Sequence, residues 1–221
     1  MDCLGTLVEL DPPAPRLVDE LRAWGVEVGQ EEADAAFRAE IDHYLHHHLE
    51  GADEVGLARV RDDCARVLRE SLGLDSEHQA VVRAAMLAAL RFRPYPDAVP
   101  ALQDLRQAGL PVVVASNWDC SLPQTLRRVG LGPLLAGVAT SAEAGAAKPD
   151  PAVLHRALEI AGVGADEAVA MGDSVEHDVA AARRAGIPAI LVRRDGRGPP
   201  SPGVAQTGSL AEAVSVVLTP R

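Results

Sequence analysis

The side chains in this sequence that could do chemistry follow short apolar runs, where strands are expected to end. They are Asp2, Ser116, Asn117, Lys148, Asp173 and Asp178. In an open α/β sheet the carboxyl ends of the strands form one rim, so residues far apart in sequence can converge there. Carboxylates are hard oxygen ligands for a divalent cation, and a lysine is a compact positive charge. The pattern therefore predicts one polar site at the rim of a sheet.

The elements that must carry these residues alternate between strand and helix from Tyr95 onward. Strands are predicted at residues 111–115, 138–140, 168–171 and 188–192. Helices are predicted between them at residues 98–108, 122–129, 151–161 and 178–185, with a capping box of Ser121 and Gln124 at the start of the second. This alternation predicts an α/β fold with a doubly wound parallel sheet. The Gly/Pro-rich segment 196–203 is predicted to be a loop.

The segment from Pro12 to Arg91 has a different pattern, because its apolar residues recur at helical spacing. Helices are predicted at residues 15–24, 31–49, 54–72 and 77–90, with Gly25, Gly51 and Gly73 between them. An all-helical block of this length is expected to form a compact bundle.

The polar motifs, taken in order, resemble those of the haloacid dehalogenase-like hydrolase superfamily, in the branch with a helical cap inserted after the first motif. The motifs are residues 2–6, Ser116–Asn117, Lys148, and Gly172-Asp173-Ser174 with Asp178. Residues 92–98 also resemble the return from cap to core. The resemblance implies a Rossmann-like core of residues 1–10 and 93–221 and an α-helical cap of residues 11–92.

The resemblance also implies a magnesium-dependent phosphatase in which Asp2 is the nucleophile. A carboxylate can attack phosphorus and form an acyl phosphate, which splits hydrolysis into two steps. Asp2 and Asp173 would bind Mg²⁺ together with the backbone carbonyl of Leu4. Asp178 would be a further ligand or would orient metal-bound water.

The remaining motif residues are expected to bind the phosphoryl group of a small phosphorylated substrate. Ser116 and Lys148 are expected to act as catalytic residues, through a hydroxyl donor and a point charge. The backbone amides of Asn117 and of the turn at Gly5 are expected to donate as well. Trp118 follows Asn117 at the rim and is a candidate contact for the substrate.

Leu4 departs from the pattern, because phosphatases that the sequence resembles carry an aspartate two residues after the nucleophile. That aspartate protonates the leaving group, and general acid–base catalysis typically contributes roughly 10²–10⁴-fold. The hypothesis is that hydrolysis of alkyl phosphates is slow. The alternatives are a 2-haloacid dehalogenase, which needs no metal, and a degenerate relative that binds a ligand or a protein without catalysis. The Gly172-Asp173-Ser174 motif favours phosphate chemistry over dehalogenation.

The position of Asp2 is also unusual, because Met1 alone precedes it where a strand of about five residues is expected. Either the true start lies further upstream, or the sheet lacks its middle strand. The first interpretation is favoured.

Composition narrows the class of protein. The net charge is −11, which argues against a general nucleic-acid binder. No apolar run approaches the roughly 18 residues of a membrane span, so no membrane role is expected. The cysteines, Cys3, Cys64 and Cys120, form no CxxC pair, which fits a reducing cytoplasm.

Overall fold

The computed structural model describes residues 1–194, 196 and 202–219, and the chain divides into two compact units. The first unit comprises Met1–Glu9 and Arg93–Arg221, and the second comprises Leu10–Phe92. The first division follows Glu9, so Leu10 lies in the second unit. The second unit is therefore inserted into the sequence of the first.

The strands of the described chain are short, and all pairs within the first unit are parallel. They are β1 (Val8–Leu10), β2 (Phe92–Pro94), β3 (Val113–Ser116), β4 (Gly137–Thr140), β5 (Ala170–Gly172), β6 (Ala189–Val192) and β7 (Ala205–Thr207). Strand β3 pairs with β4, and β5, β6 and β7 follow one another in a second group.

The backbone of Met1 and Asp2 lies between these two groups. The Met1 nitrogen donates to the Val113 carbonyl and the Met1 carbonyl accepts from the amide of Ala115, both at 2.8 Å. On the other side the amide of Asp2 donates to the carbonyl of Met171, also at 2.8 Å. The two residues thus bridge β3 and β5, which gives the spatial order β4, β3, Met1–Asp2, β5, β6, β7.

The helices account for most of the remaining described residues. They are α1 (Pro13–Ala23), α2 (Gln30–His47), α3 (Glu54–Ser71), α4 (Gln79–Ala89), α5 (Ala98–Gln107), α6 (Leu122–Arg128), α7 (Ser141–Ala144), α8 (Ala152–Ala161), α9 (Ala180–Ala185) and α10 (Leu210–Leu218). Helix α8 packs on β3 and β4, and α10 packs on α5 and β6. Parallel strands joined by packed helices make the first unit a doubly wound, Rossmann-like α/β fold, as predicted.

The second unit is a bundle of α1 to α4, in which α1 packs on α2 and α4, and α3 packs on the same two helices. Helix α3 shows why these helices associate, since Leu57, Val60, Cys64 and Leu68 recur at three- and four-residue spacing and are all buried. Val60, Cys64 and Leu68 share one core with Leu17, Leu21, Phe37 and Met86. None of the helices in the described part of the chain is long and apolar enough to cross a membrane.

Several local features differ from the sequence-based expectations. The capping box at Ser121 is wrong, because Ser121 has helical backbone angles and its side chain makes no cap hydrogen bond. Strands β1 and β2, which pair where the chain passes between the units, were not predicted, nor were β7 and α10. Of the predicted loop 196–203, residues 197–201 lie outside the described residues.

Candidate active site

The candidate site lies in the first unit, at the carboxyl ends of its strands. Asp2 follows the bridging residue Met1, Ser116 is the last residue of β3, and Asp173 comes directly after β5. Asp178 belongs to a π-helical turn, Val175–Val179, whose start is capped by the side chain of Ser174. Lys148 lies in the loop between α7 and α8. Parallel strands with helical crossovers therefore bring residues from four parts of the chain to one rim.

Lys148 joins two of the acids at this rim. Its Nζ atom donates to Oδ1 of Asp2 and to Oδ1 of Asp178, each at 2.6 Å, and to the carbonyl of Ala115 at 2.9 Å. The side chain of Lys148 is only 3% exposed. Ser116 adds a hydrogen bond from its Oγ to Oδ1 of Asp2, at 3.0 Å. An ammonium group with three acceptors is a fully satisfied buried charge.

The electrostatics follow from this burial. Burial raises the pKa of Asp2, and the charge of Asp178 raises it further, while Lys148 opposes both. Burial by itself would lower the pKa of Lys148, but the two carboxylates outweigh that effect and hold the pKa above its usual value. Asp173 has a pKa raised to about 6, first by burial and then by the charges of Asp2 and Asp178. The site therefore carries more negative charge than one lysine neutralises.

The acid cluster fits a hard divalent cation. Asp2, Asp173 and Asp178 each offer a carboxylate oxygen, and these atoms lie within 4.8 Å of one another. The donor set is oxygen only, which suits Mg²⁺. Burial and the charges of Asp2 and Asp178 raise the pKa of Asp173, and a bound cation would favour its ionised form.

The turn after Asp2, residues 2–8, is closed by its own backbone and is here called the Asp2 turn. The carbonyl of Cys3 accepts from the amides of Leu7 and Val8, at 2.8 and 2.9 Å, and the amide of Gly5 donates to the carbonyl of Val8 at 2.8 Å. The side chain of Leu4 is 44% exposed. Gly5 has a φ of +84°, and a Cβ atom there would overlap the carboxylate of Asp173. Glycine is thus required both for the turn and for the approach of Asp173.

Asn117 and Trp118 connect the end of β3 to its neighbours. The Asn117 side chain accepts from the amide of Lys148 at 2.7 Å and donates to the carbonyl of the same residue at 3.0 Å. Trp118 is 7% exposed, and its amide donates to the hydroxyl of Ser141 at 3.0 Å. Asn117 therefore holds the backbone of Lys148, a contact that spacing along the sequence does not reveal.

Arg194 is a residue near the site that the sequence analysis did not identify. Its guanidinium donates to the carbonyl of Thr6 at 2.7 Å and pairs with Asp97. Gly5, Tyr95, Asp173 and Arg194 line one open cavity of about 360 Å³. An arginine after a strand gives no signal of its partners, because both lie about 100 residues or more away.

Comparison with known proteins identifies the family of this chain. The family model of haloacid dehalogenase-like hydrolases matches residues 1–186. A glyceraldehyde 3-phosphate phosphatase of Methanopyrus kandleri is 33% identical over 134 residues, which are 58% of this chain and 57% of that protein. A phosphoserine phosphatase of Thermus thermophilus is 34% identical over 134 residues, which are 58% of this chain and 54% of that protein. The matched region thus spans about half the length of these curated relatives.

A solved structure extends the likeness to the whole fold. The crystal structure of a HAD phosphatase from Thermococcus onnurineus has a TM-score of 0.65 and 22% identity, and the match covers 98% of this chain and 95% of that one. At this identity the likeness concerns the fold alone. The family model, in contrast, spans more than half of the chain, including Asp2, Ser116, Lys148 and Asp173. The chain therefore belongs to the haloacid dehalogenase-like hydrolase family.

Proposed function

We propose that this protein hydrolyses small phosphorylated metabolites through a phosphorylated Asp2, with Mg²⁺ as its cofactor. The observation that carries the proposal is that the ammonium group of Lys148 donates to the carboxylates of both Asp2 and Asp178. Ser116 donates to the same oxygen of Asp2, Oδ1, that accepts from Lys148. The names of the two curated relatives, both phosphatases, support the same class of substrate.

In the first step an oxygen of Asp2 forms a bond to phosphorus, and the bond from phosphorus to the leaving oxygen breaks. The leaving oxygen departs with the bonding electron pair. Burial raises the pKa of Asp2, and Lys148 opposes that rise, which favours the ionised carboxylate. The positive charge of Lys148 also balances charge on the phosphoryl group. Ser116 fixes the orientation of the attacking carboxylate.

In the second step the oxygen of a water molecule bonds to the phosphorus of phospho-Asp2, and the bond from phosphorus to the Asp2 oxygen breaks. A proton of the water passes to a phosphoryl oxygen, inorganic phosphate leaves, and the Asp2 carboxylate is restored. Asp2, Asp173 and the carbonyl of Leu4 would hold Mg²⁺, with Asp178 as a further ligand or as an acceptor for a bound water. The cation would neutralise the repulsion between Asp2 and the phosphate. Leu4 supplies no proton, so substrates whose leaving groups are stable as anions are favoured. Such leaving groups are the phenolate of an aryl phosphate and the carboxylate of an acyl phosphate.

Replacement of the nucleophile tests the proposal. We expect Asp2→Asn to reduce the Mg²⁺-dependent hydrolysis of an aryl phosphate to the background rate, because an amide oxygen is a poor nucleophile. Mass spectrometry after rapid acid quenching should detect phospho-Asp2 in the native protein and not in the variant. Undiminished hydrolysis by Asp2→Asn would refute the proposal.

Chelation separates the proposal from its alternatives. We expect EDTA to abolish phosphate hydrolysis and added Mg²⁺ to restore it. Release of halide from a 2-haloacid that persists in EDTA would favour dehalogenation instead. Binding of a phosphorylated ligand without any phosphoenzyme would favour a non-catalytic role.

A further inference from the structure

Arg194 reaches the Asp2 turn from a distant part of the sequence. One terminal nitrogen, Nη2, donates to the carbonyl of Thr6 at 2.7 Å, across 188 residues of sequence. Thr6 is itself fully buried. The same turn contains Asp2, the carbonyl of Leu4 and Gly5, where an added Cβ atom would overlap the carboxylate of Asp173. A side chain that fixes the Thr6 carbonyl therefore acts on the backbone that carries the nucleophile.

Arg194 is in turn fixed by partners on two sides. Its guanidinium pairs with both oxygens of Asp97, with Nη1 to Oδ2 at 3.1 Å and Nη2 to Oδ1 at 2.9 Å. Its Cζ atom lies 3.8 Å from the centroid of the Tyr95 ring. Only about a fifth of the Arg194 and Asp97 side chains is exposed, 19% and 20% respectively.

The two partners are anchored in the same unit. Asp97 accepts a further hydrogen bond from the amide of Leu210, the first residue of α10, at 2.9 Å. The amide of Tyr95 donates to the carbonyl of Leu7 at 3.0 Å, so Tyr95 is tied to the Asp2 turn as well. The guanidinium thus lies between the turn, the segment before α5 and the start of α10.

These contacts require a planar, multivalent donor. A guanidinium can donate to a carboxylate, donate to a carbonyl and stack on an aromatic ring at the same time. A lysine ammonium keeps the charge, but it lacks the flat face and the fixed fork. The arginine at this position therefore does more than balance the charge of Asp97.

We propose that Arg194 is a positioning residue for catalysis, which holds the Asp2 turn so that Asp2 faces the phosphoryl group. The inference rests on the proposed function of Asp2. Arg194 affects the reaction indirectly, because it binds the Thr6 carbonyl and not the substrate. An error of about 1 Å in the position of a reacting group can cost on the order of 100-fold in rate.

The test compares Arg194→Lys with Arg106→Lys in the full chain. Arg106 is a matched control, because it is an exposed arginine of the same unit and also donates to a backbone carbonyl, that of Pro133 at 3.4 Å. We expect Arg194→Lys to lower kcat for an aryl phosphate by roughly 10- to 100-fold, with little change in KM. Arg106→Lys should keep the native kcat and KM. Asp97→Asn should lower kcat in the same direction by a smaller factor, because it loosens Arg194 without removing it.

A second measurement does not depend on activity. We expect the amides of Gly5, Leu7 and Val8 to exchange with deuterium faster in Arg194→Lys than in Arg106→Lys, as followed by NMR. Native kcat and native exchange in Arg194→Lys would overturn the inference, as would a loss of kcat that merely matches the unfolded fraction. If Asp2→Asn stays active, the proposed function fails by itself, and the exchange rates still decide whether Arg194 holds the turn.

Discussion

At the scale of single residues, the site is a balance of buried charges. Lys148 neutralises Asp2 and Asp178 through two bonds of 2.6 Å, and removal of one partner of such a buried pair typically costs about 3–5 kcal/mol. Asp173 adds a third carboxylate to the same cluster. The excess negative charge is the physical reason why a divalent cation would bind here. The apolar side chain of Leu4 contributes neither charge nor proton.

Leu4→Asp tests the consequence of that missing proton donor. We expect turnover of an alkyl phosphate to rise by roughly 100-fold, because an acid at this position would protonate the leaving oxygen. Turnover of an aryl phosphate should rise much less, so the ratio of the two rates is the informative quantity. Leu4→Asn is the matched control, since it is polar but transfers no proton. Equal ratios in Leu4→Asp and the native protein would contradict this account.

Gly5→Ala tests the contact between the Asp2 turn and Asp173. A methyl group would overlap the Asp173 carboxylate, so we expect Mg²⁺ affinity to fall by roughly 10-fold or more in calorimetric titrations. Gly145→Ala is the control, because Gly145 also has a positive φ, +79°, but no atom lies within 4 Å of the added Cβ. Both variants should lose about 1–2 kcal/mol of stability from the left-handed backbone. Similar Mg²⁺ affinity in the two variants would argue against the predicted role of Asp173.

At the scale of elements, the helices of the second unit illustrate how burial acts on a polar residue. Glu40 lies in α2 and is 4% exposed, in a segment whose apolar neighbours Ala36 and Phe37 are buried in the bundle core. The thiol of Cys64 in α3 donates to its carboxylate. Burial raises the pKa of Glu40, and this hydrogen bond opposes the shift only in part.

The raised pKa of Glu40 makes stability depend on pH. Below the usual pKa of glutamate the group is neutral in both states and has no effect. As the pH rises through the raised pKa, the folded protein must bury an ionised carboxylate, and stability falls. We therefore expect Glu40→Gln to raise the free energy of unfolding at pH 8 and to have much less effect at pH 4.

Urea denaturation at the two pH values measures this difference. Glu31→Gln, which changes an exposed glutamate of the same helix, should bring no such gain at pH 8. A Glu40→Gln protein that is no more stable than the native one at pH 8 would show that the carboxylate is not penalised by burial.

At the scale of the whole molecule, the two compact units have separate cores and different chemical content. Each proposed metal ligand, Asp2, Leu4, Asp173 and Asp178, belongs to the first unit. The second unit is held together by apolar contacts among α1 to α4. A ligand that binds a folded unit stabilises that unit by mass action.

Magnesium should accordingly protect the two units from hydrogen exchange unequally. At a free Mg²⁺ concentration 100 times the dissociation constant, binding should stabilise the first unit by about 2.7 kcal/mol. The slowly exchanging amides of β3 and β5 should therefore become more protected from exchange. Amides of residues 10–92 should change little. Asp173→Asn should abolish the effect, and equal protection of both units would contradict the assignment of the ligands.

The sequence by itself was sufficient to predict the α/β fold, because short apolar runs and helical spacing of apolar residues are local features of the sequence. It also indicated that Asp2, Ser116, Lys148, Asp173 and Asp178 would share one rim, since parallel strands bring their carboxyl ends together. The short strands β1, β2 and β7 were not predicted, because none of them is a continuous apolar run in the sequence. The Ser121 capping box failed since the backbone before α6 is already helical.

The tertiary structure alone decided which atoms meet. Four hydrogen bonds of the site join residues that lie 30 to 188 positions apart in the sequence. They are those of Lys148 with Asp2, with Asp178 and with Asn117, and that of Arg194 with Thr6. Such contacts depend on how strands and loops are arranged in space, and that arrangement does not follow from the few residues on either side of each partner. Residue types thus determine which chemistry is available, whereas packing determines which groups can perform it together.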